Sequence, residues 1–541
     1  MLTYEAMHAR QRWRAPLLLA AVLLLPVVSN RDAYRSYFDS DDLGTANWAR
    51  FSPLTDYLRD VPNLIYPNGR PLGYFYYGVL LRSAGLHFPP WSIVLQCIGV
   101  VNVAMLWMLL RKLNFGVVEA ALGCLFFGSG SALFDAWWRP AFIYDVLVTS
   151  FALLTLLAWI HRKGVLSFLA FWLAMRAKEI GIVLPAVLLG YEMILGERRW
   201  KRTLPFWIPA VVYGASGAWF SLHAPHSPYT LALGGMWPAA KFYASRLFGI
   251  RYAGFALLPL VLVIRDRRLY FALGAILCEL GIYFLLPERV LSVYLYTAAT
   301  TAAIVIAVLA VRYSRATILA VLLWAAWQYT LTRKQAATML ADAADRRAYA
   351  EAVQQAPDAP AYAYGEPPRS FGFFGGEYVI RIYHHPNAVF RIDDSALPAD
   401  QTMTLLLWNT KSGSLSVAPF RADGTSFFAK GRPTEPWQAD WPMDADGYRP
   451  LRQEVDVWMY RPANSPGFEV EACGSPGAEL RPFFDGNPMP RFLFKRQECI
   501  TRTAPVAARD ARMIIANFRI PKGEVRIGSF GFHSAAEIVS P

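Results

Sequence analysis

Carboxylates and cations stand at the ends of apolar runs in this sequence, where they can act on a substrate. Asp39-Ser40-Asp41-Asp42-Leu43-Gly44-Thr45-Ala46-Asn47-Trp48 sets three acids shortly after a long apolar stretch. Three further groups mix acid with base. They are Asp135-Ala136-Trp137-Trp138-Arg139-Pro140, running on to Tyr144-Asp145; Lys178-Glu179-Ile180-Gly181-Ile182-Val183-Leu184-Pro185; and Pro287-Glu288-Arg289, followed by Tyr294-Leu295-Tyr296. Arg70-Pro71-Leu72-Gly73 and the aromatic run Tyr74-Phe75-Tyr76-Tyr77 follow the first cluster. In such a set a carboxylate takes the proton of an attacking hydroxyl, and Arg or Lys stabilises the charge that appears on a departing phosphate. Arginine's fork matches phosphate oxygens, whereas lysine acts as a point charge.

Each group also has a plainer reading. Asp41 or Asp42 could cap a surface helix through Leu43–Phe51. Trp137 and Trp138 suit a membrane interface, and Lys178-Glu179 suits an ion pair in a tight hairpin. A calcium loop is tested by spacing: Asp39, Asp41 and Gly44 fit positions one, three and six, but Leu43 and Arg50 fall where ligands are required. What raises the chemical reading is that acid and base recur together at four places.

The elements that must position these groups are membrane helices. Of the 541 residues, 55% are hydrophobic and only 17% charged, against about a quarter charged in soluble domains. Apolar runs recur from Ala15 to about Thr332; candidate spans lie near 15–29, 90–110, 116–134, 142–160, 164–178, 180–195, 204–222, 248–264, 269–286, 290–311 and 316–332, about eleven in all. The first reads as a signal anchor, since no small-residue cleavage site follows Val28. The net charge of +13 belongs to this half: residues 333–541 hold 24 of the 53 Lys and Arg and 24 of the 40 Asp and Glu, leaving 29 and 16 for residues 1–332. The excess sits in short loops such as Arg111-Lys112 and Arg198-Arg199-Trp200-Lys201-Arg202, alternating with poorly basic ones. That is the positive-inside pattern and not a nucleic-acid surface. It puts the N-terminus in the cytoplasm, and the acidic loop 30–72, the other three groups and the tail outside.

Residues 333–541 read as a separate region. Lys334–Gln355 has helical composition; β-type runs follow at Glu377–Tyr383, Gln401–Trp408, Glu454–Tyr460, Arg512–Arg519 and Glu524–Phe532, with turns such as Asp423-Gly424 and Asp485-Gly486 between them. Trp408, Trp437, Trp441 and Trp458 suit a core better than a sugar platform. Cys97, Cys124 and Cys278 fall in apolar runs as small hydrophobes, while Cys473 and Cys499 could pair in an oxidising compartment. No internal repeat is present.

In order along the chain, Asp41-Asp42, Arg70-Pro71-Leu72, Lys178 to Pro185, and Pro287-Glu288-Arg289 with Tyr294-Leu295-Tyr296 resemble the membrane glycosyltransferases of the GT-C superfamily. The likeness is to the protein O-mannosyltransferase-like branch and bacterial relatives that use polyprenyl-phosphate sugars, and it covers about residues 10–330. It implies a polytopic α-helical membrane protein with a C-terminal extracytoplasmic β-rich, sandwich-like domain, in the bacterial cytoplasmic membrane. It implies inverting transfer from a polyprenyl-phosphate sugar to a glycan, lipid or protein acceptor at the outer face. Asp41, with Asp42 as close alternative, is then the base. Arg289 and Lys178 lead for the donor phosphate with Arg70 and Arg139 next, and Glu179, Asp135, Glu288 and Tyr294 orient or support them. Asp42 stands where Glu is common in the family, which leaves the division between the two acids open. No cofactor is required, and a divalent metal would have His223 and His226 as its candidates. No GxxxxGK[ST] loop for a nucleotide sugar occurs. The competing class is a polytopic transporter or lipid-glycan flippase, which would place polar groups near the bilayer midplane in repeated halves; a non-catalytic assembly protein anchored by its membrane half is a third.

Overall fold

The computed structural model describes residues 2–532 apart from 66–68, 224–232, 287–288, 373, 385–386, 393–396, 399, 423–425, 435–437, 440, 485 and 507–511. Two compact units result, Met1–Ala344 and Asp345–Pro541.

The first unit is helical. After α1 (Leu2–Ser29) the acidic segment folds into α2 (Ser40–Phe51) and α3 (Leu54–Asp60). The cap of α2 is Asp39, neither Asp41 nor Asp42: its side chain accepts from the N–H groups of Asp41 and Asp42, and the Asp42 carboxylate accepts from the Asp39 N–H. Helix α2 therefore begins three residues before Leu43, because a reciprocal capping box satisfies its orphan donors there. Next come α4 (Pro71–Ala84), with proline at its first position, and α5 (Phe88–Lys112). α6 (Val117–Ser129) is followed by α7 (Phe134–Trp138), and the pair bends by 51°.

Further along lie α8 (Ile143–Ile160), α9 (Gly164–Ala177), α10 (Leu184–Ile194), α11 (Leu204–His223), α12 (Met236–Arg246), α13 (Leu257–Val263), α14 (Arg267–Phe284), α15 (Leu295–Arg312) and α16 (Ser314–Gln354). Every expected span meets a helix. Four helical stretches among the described residues are long and apolar enough to cross a bilayer, or five if the bent α6–α7 pair counts as one. The rest are short, interrupted or less apolar: α10 has 11 residues, about 17 Å of helix against a hydrocarbon core of about 30 Å. Pro185, Gly181 and the charged Lys178-Glu179 step break what the apolar count alone runs together.

Helix α15 is the axis of the bundle, buried almost without break from Leu295 to Val308. Gly123 of α6 lets it approach, since a Cβ there would lie 2.8 Å from the Ala303 carbonyl oxygen. The expected last span and the expected tail helix form one element, α16, because no glycine or proline interrupts Ser314–Gln354.

The second unit is β-rich with a mixed layer that the sequence did not announce. β1 (Ala361–Tyr364) pairs in parallel with β2 (Ala388–Arg391) and β3 (Thr402–Asn409), and β4 (Ser414–Arg421) closes the order β2-β1-β3-β4. Between β1 and β2 lies α17 (Gly375–Tyr383), where a strand was expected over Glu377–Tyr383. Gly375, Gly376, Val379 and Ile380 are buried together and Arg381 pairs with Glu377 four residues back at 2.7 Å, so the period is helical.

The remaining strands build two sheets. They are β5 (Phe427–Phe428), β6 (Arg449–Leu451), β7 (Glu454–Arg461), β8 (Gly467–Gly474), β9 (Glu479–Phe484), β10 (Asn487–Pro488), β11 (Phe492–Leu493), β12 (Glu498–Pro505), β13 (Arg512–Lys522) and β14 (Val525–Phe532). One sheet has the order β10-β9-β13-β7, the other β12-β8-β14-β5. Val457, Phe468, Leu480, Phe518, Ile527 and Phe530 from both enter one buried core, which is the sandwich expected from sequence. Trp408 and Trp441 are buried and Trp458 packs on the core; Trp437 and the Asp423-Gly424 turn lie outside the described residues, as does Asp485. Cys473 and Cys499, register partners on β8 and β12, are bridged.

The 3-10 turn Glu179–Val183 joins α9 to α10 with no room for a side chain at its third residue. A Cβ on Gly181 would stand 2.6 Å from the Met175 nitrogen and 2.7 Å from the Ala174 carbonyl carbon. Gly181→Ala is expected to cost about 1–3 kcal/mol, the usual price of overpacking, and Gly190→Ala, with nothing within 4 Å of its Cβ, to cost none. Thermal unfolding of the two variants in detergent reads the difference.

Candidate active site

Asp39, Asp41 and Asp42 sit on the first turn of α2 but have three different environments. Asp39 is buried, caps the helix and forms an ion pair with Arg139. Asp42 is 1% exposed, and both its oxygens are engaged: one accepts from the Asp39 N–H, the other from the Tyr77 hydroxyl of α4 at 2.9 Å. Asp41 is exposed, and its carboxylate has no hydrogen bond or ion pair among the described residues. Its backbone is nonetheless fixed, since its N–H donates to Asp39 at 3.0 Å. One acid of the three is therefore rigidly placed and open.

A second group forms where α4, α8 and the α9–α10 turn meet. Lys178 Nζ donates to Asp145 on the first turn of α8, and each side chain is 6% exposed. The ammonium also lies 4.3 Å from the centroid of the Tyr294 ring, which stacks on Tyr283 at 4.1 Å. The neighbours of this pair make another. Arg70 donates through Nε to both oxygens of Glu179 at 2.8 and 3.0 Å, and its guanidinium lies 5.1 Å over Tyr144. Burial pushes the Glu179 carboxyl up, but the Arg70 guanidinium and its hydrogen bonds outweigh this and hold it below the usual carboxylate range.

Aromatic contacts join the two groups: Tyr74 of α4 packs on Tyr144, and Trp48 of α2 packs on Tyr74. Gly73 makes this possible, because a Cβ there would fall 2.0 Å from the Tyr144 ring. Arg139 adds a further link, 3.9 Å from Asp135 on the same turn of chain and paired with Asp39 on α2.

Contacts thus link the elements that carry Asp42, Arg70, Arg139, Asp135, Lys178, Glu179 and Tyr294, with Asp41 on the same helix turn as Asp42. Arg289 is half-buried, five residues ahead of Tyr294, with its N–H on the Leu286 carbonyl. Glu288 lies outside the described residues, as does His226. His223 is exposed at the end of α11, with Nδ1 on the Trp219 carbonyl and its ring stacked on Trp219. Among the described residues no group of three or more His, Cys, Asp or Glu could hold a metal ion.

Sequence reasoning passed over Asp145 in favour of Asp135. The available signal was an acid three residues into an apolar run, which in a bundle needs a cation. It also passed over Tyr77, the partner of Asp42, and Arg176, which is 1% exposed, donates to the Asp60 carbonyl at 3.0 Å and lies over Tyr213. With Tyr213 on the Gly69 carbonyl and Trp172 on the Val61 carbonyl, Arg176 straps the segment between α3 and α4 onto α9 and α11.

No family model matches the chain, and no curated protein matches it in sequence. Among solved structures it is similar to ArnT from Cupriavidus metallidurans, bound to undecaprenyl phosphate, at 13% identity and a TM-score of 0.45, covering 73% of this chain and 93% of that one. The apo state of the same protein gives 13% identity and a TM-score of 0.47, covering 74% and 94%. The arabinosyltransferase EmbB of Mycobacterium smegmatis gives 11% and 0.34, covering 98% of this chain and 66% of that one. At these scores the likenesses carry no argument about activity, which rests on the side chains above.

The three acids should separate in a stability measurement. Asp39→Ala removes a cap and leaves Arg139 without that partner, and is expected to cost about 1–2 kcal/mol. Asp41→Ala is expected to stay within about 0.5 kcal/mol of the parent, as for an ordinary surface change. Detergent-solubilised melting curves compare them.

Proposed function

We propose that the first unit is a membrane glycosyltransferase that moves a sugar from a polyprenyl-phosphate donor to an acceptor hydroxyl at the outer face of the bacterial cytoplasmic membrane. The observation that carries this is the exposed, backbone-fixed Asp41 on a helix whose cap, Asp39, pairs with Arg139 and whose Trp48 packs through Tyr74 on the Tyr144 ring that lies under Arg70. Asp41 takes the acceptor's hydroxyl proton as the oxygen attacks the anomeric carbon. The bond from that carbon to the phosphate oxygen breaks on the opposite side, which gives inversion. The departing polyprenyl phosphate takes the electron pair, and Arg70 and Arg289 stabilise its charge, with Lys178 as a fixed cation behind them.

Asp42 supports the geometry instead of acting as base, since a carboxylate already accepting on both oxygens is poorly placed to take another proton. Glu179 and Asp145 hold the cations in place before substrate arrives, so little reorganisation is needed at the moment of reaction. Asp135 does the same for Arg139, and Tyr294 gives Lys178 an aromatic face.

Purified protein given a panel of polyprenyl-phosphate sugars should release polyprenyl phosphate, and Asp41→Asn should lower the rate at least about a hundredfold, the lower end for a general base. Full activity in Asp41→Asn would remove the base assignment. Solute uptake into liposomes with no release from any donor would favour the transporter.

A further inference from the structure

Helix α2 carries its open acid on a face with two other side chains. Asp41, Thr45 and Trp48 stand at i, i+4 and i+7 of the helix and so lie one above another on the same side. Both of the later two reach the aromatic rings beside Arg70. Trp48 packs on Tyr74 at 4.9 Å, Tyr74 meets the Tyr144 ring edge-on at 6.0 Å, and the Thr45 side chain is hydrogen-bonded to the Tyr144 hydroxyl. The face of α2 that holds Asp41 is therefore the face turned toward Tyr144.

Tyr144 itself is held from several directions. It is 7% exposed, a Cβ on Gly73 would fall 2.0 Å from its ring, and the Arg70 guanidinium lies 5.1 Å over that ring. The next residue, Asp145, is fixed by Lys178. A hydroxyl on so rigid a ring is a fixed point, and it meets α2 one turn beyond Asp41. Asp39 and Asp42 tie the first turn of α2 to Arg139 and Tyr77; Thr45 adds a tie on the face of Asp41 itself. Rotation is the freedom that this tie removes. A carboxylate about 6 Å from a helix axis moves about 1 Å for a rotation of about 10°, and a misplacement of about 1 Å can slow a reaction about a hundredfold.

We propose that Tyr144 is a positioning residue: its hydroxyl, acting through Thr45, sets the rotation of α2 and with it the place of Asp41 relative to the phosphate bound by Arg70. This rests on the transfer reading above and adds a residue to it. The two ends of Tyr144 serve different partners, since Arg70 rests on the ring face and Thr45 on the hydroxyl. Loss of the hydroxyl alone should then slow transfer and leave phosphate binding as it was.

Four variants of the full-length protein test this: Tyr144→Phe, Thr45→Val, the two combined, and Thr45→Ser. Release of polyprenyl phosphate from polyprenyl-phosphate sugars gives kcat, titration with polyprenyl phosphate gives affinity, and melting curves show that each variant is folded. Tyr144→Phe and Thr45→Val should each lower kcat about ten- to a hundredfold, with affinity unchanged. The combined variant should fall no further than either single change, because the same bond is lost. Thr45→Ser, which keeps the hydroxyl, should retain the rate. Wild-type kcat in both single variants overturns the proposal, and so do losses that multiply in the combined variant. A fall in affinity equal to the fall in kcat also overturns it, since Tyr144 would then act on the donor. No release by the wild type from any donor would sink the transfer reading and this role together, whereas release at one rate by wild type and both single variants sinks this role alone.

Discussion

Lys178 and Asp145 meet inside an apolar bundle with 6% of each side chain exposed, and much of the site follows from that one contact. Neither charge can be buried alone; losing one partner of such a pair typically costs about 3–5 kcal/mol. The turn between α9 and α10 is therefore held against the start of α8. Because Glu179 follows Lys178 and Tyr144 precedes Asp145, the same contact brings a carboxylate and an aromatic ring to the place where Arg70 enters α4. One buried pair thereby sets the position of a second, more exposed one. Gly181 and Gly73 are the spatial conditions for this, each standing where a side chain would strike its neighbour.

The acid side of the site is built on a different principle. Hydrogen bonding within the first turn of α2 divides three similar residues into a cap, a brace and an open carboxylate, and the brace reaches Tyr77 on the helix that Arg70 begins. Rigidity and exposure are thus combined at Asp41, whose side chain has no bond among the described residues. The cap falls on Asp39, not on Asp41 or Asp42, and this leaves the Asp41 carboxylate for the proposed chemistry.

The fold was legible where periodicity and breakers agree. Apolar runs located a helix at each expected span, though not α3, α4 or α12, and alternation located β3, β7, β13 and β14. The strand expected over Glu377–Tyr383 is a helix, because Val379, Ile380 and Ile382 favour strands while the burial period is helical; the parallel β1–β2 pairing has no local signature at all. For the candidate site, residue types pointed to Arg70, Arg139, Lys178 and Glu179, and each of these is ion-paired in the structure. They could not rank Asp39, Asp41 and Asp42, since a capping box is a matter of which carboxylate turns back. Nor could they choose Asp145 over Asp135, since the cation that decides it is 33 residues away in the chain. The likeness to solved structures is too distant to supply those assignments.

In the proposed transfer the lipid phosphate is bound by Arg70, whose Nε edge is held by Glu179 while a quarter of its side chain stays exposed. Titrating polyprenyl phosphate into wild type and Arg70→Gln, with melting curves to show that both are folded, measures this directly. A charge-assisted hydrogen bond contributes about 1.5–3 kcal/mol, so the affinity should fall by about one to two orders of magnitude. An unchanged affinity in Arg70→Gln would contradict the account.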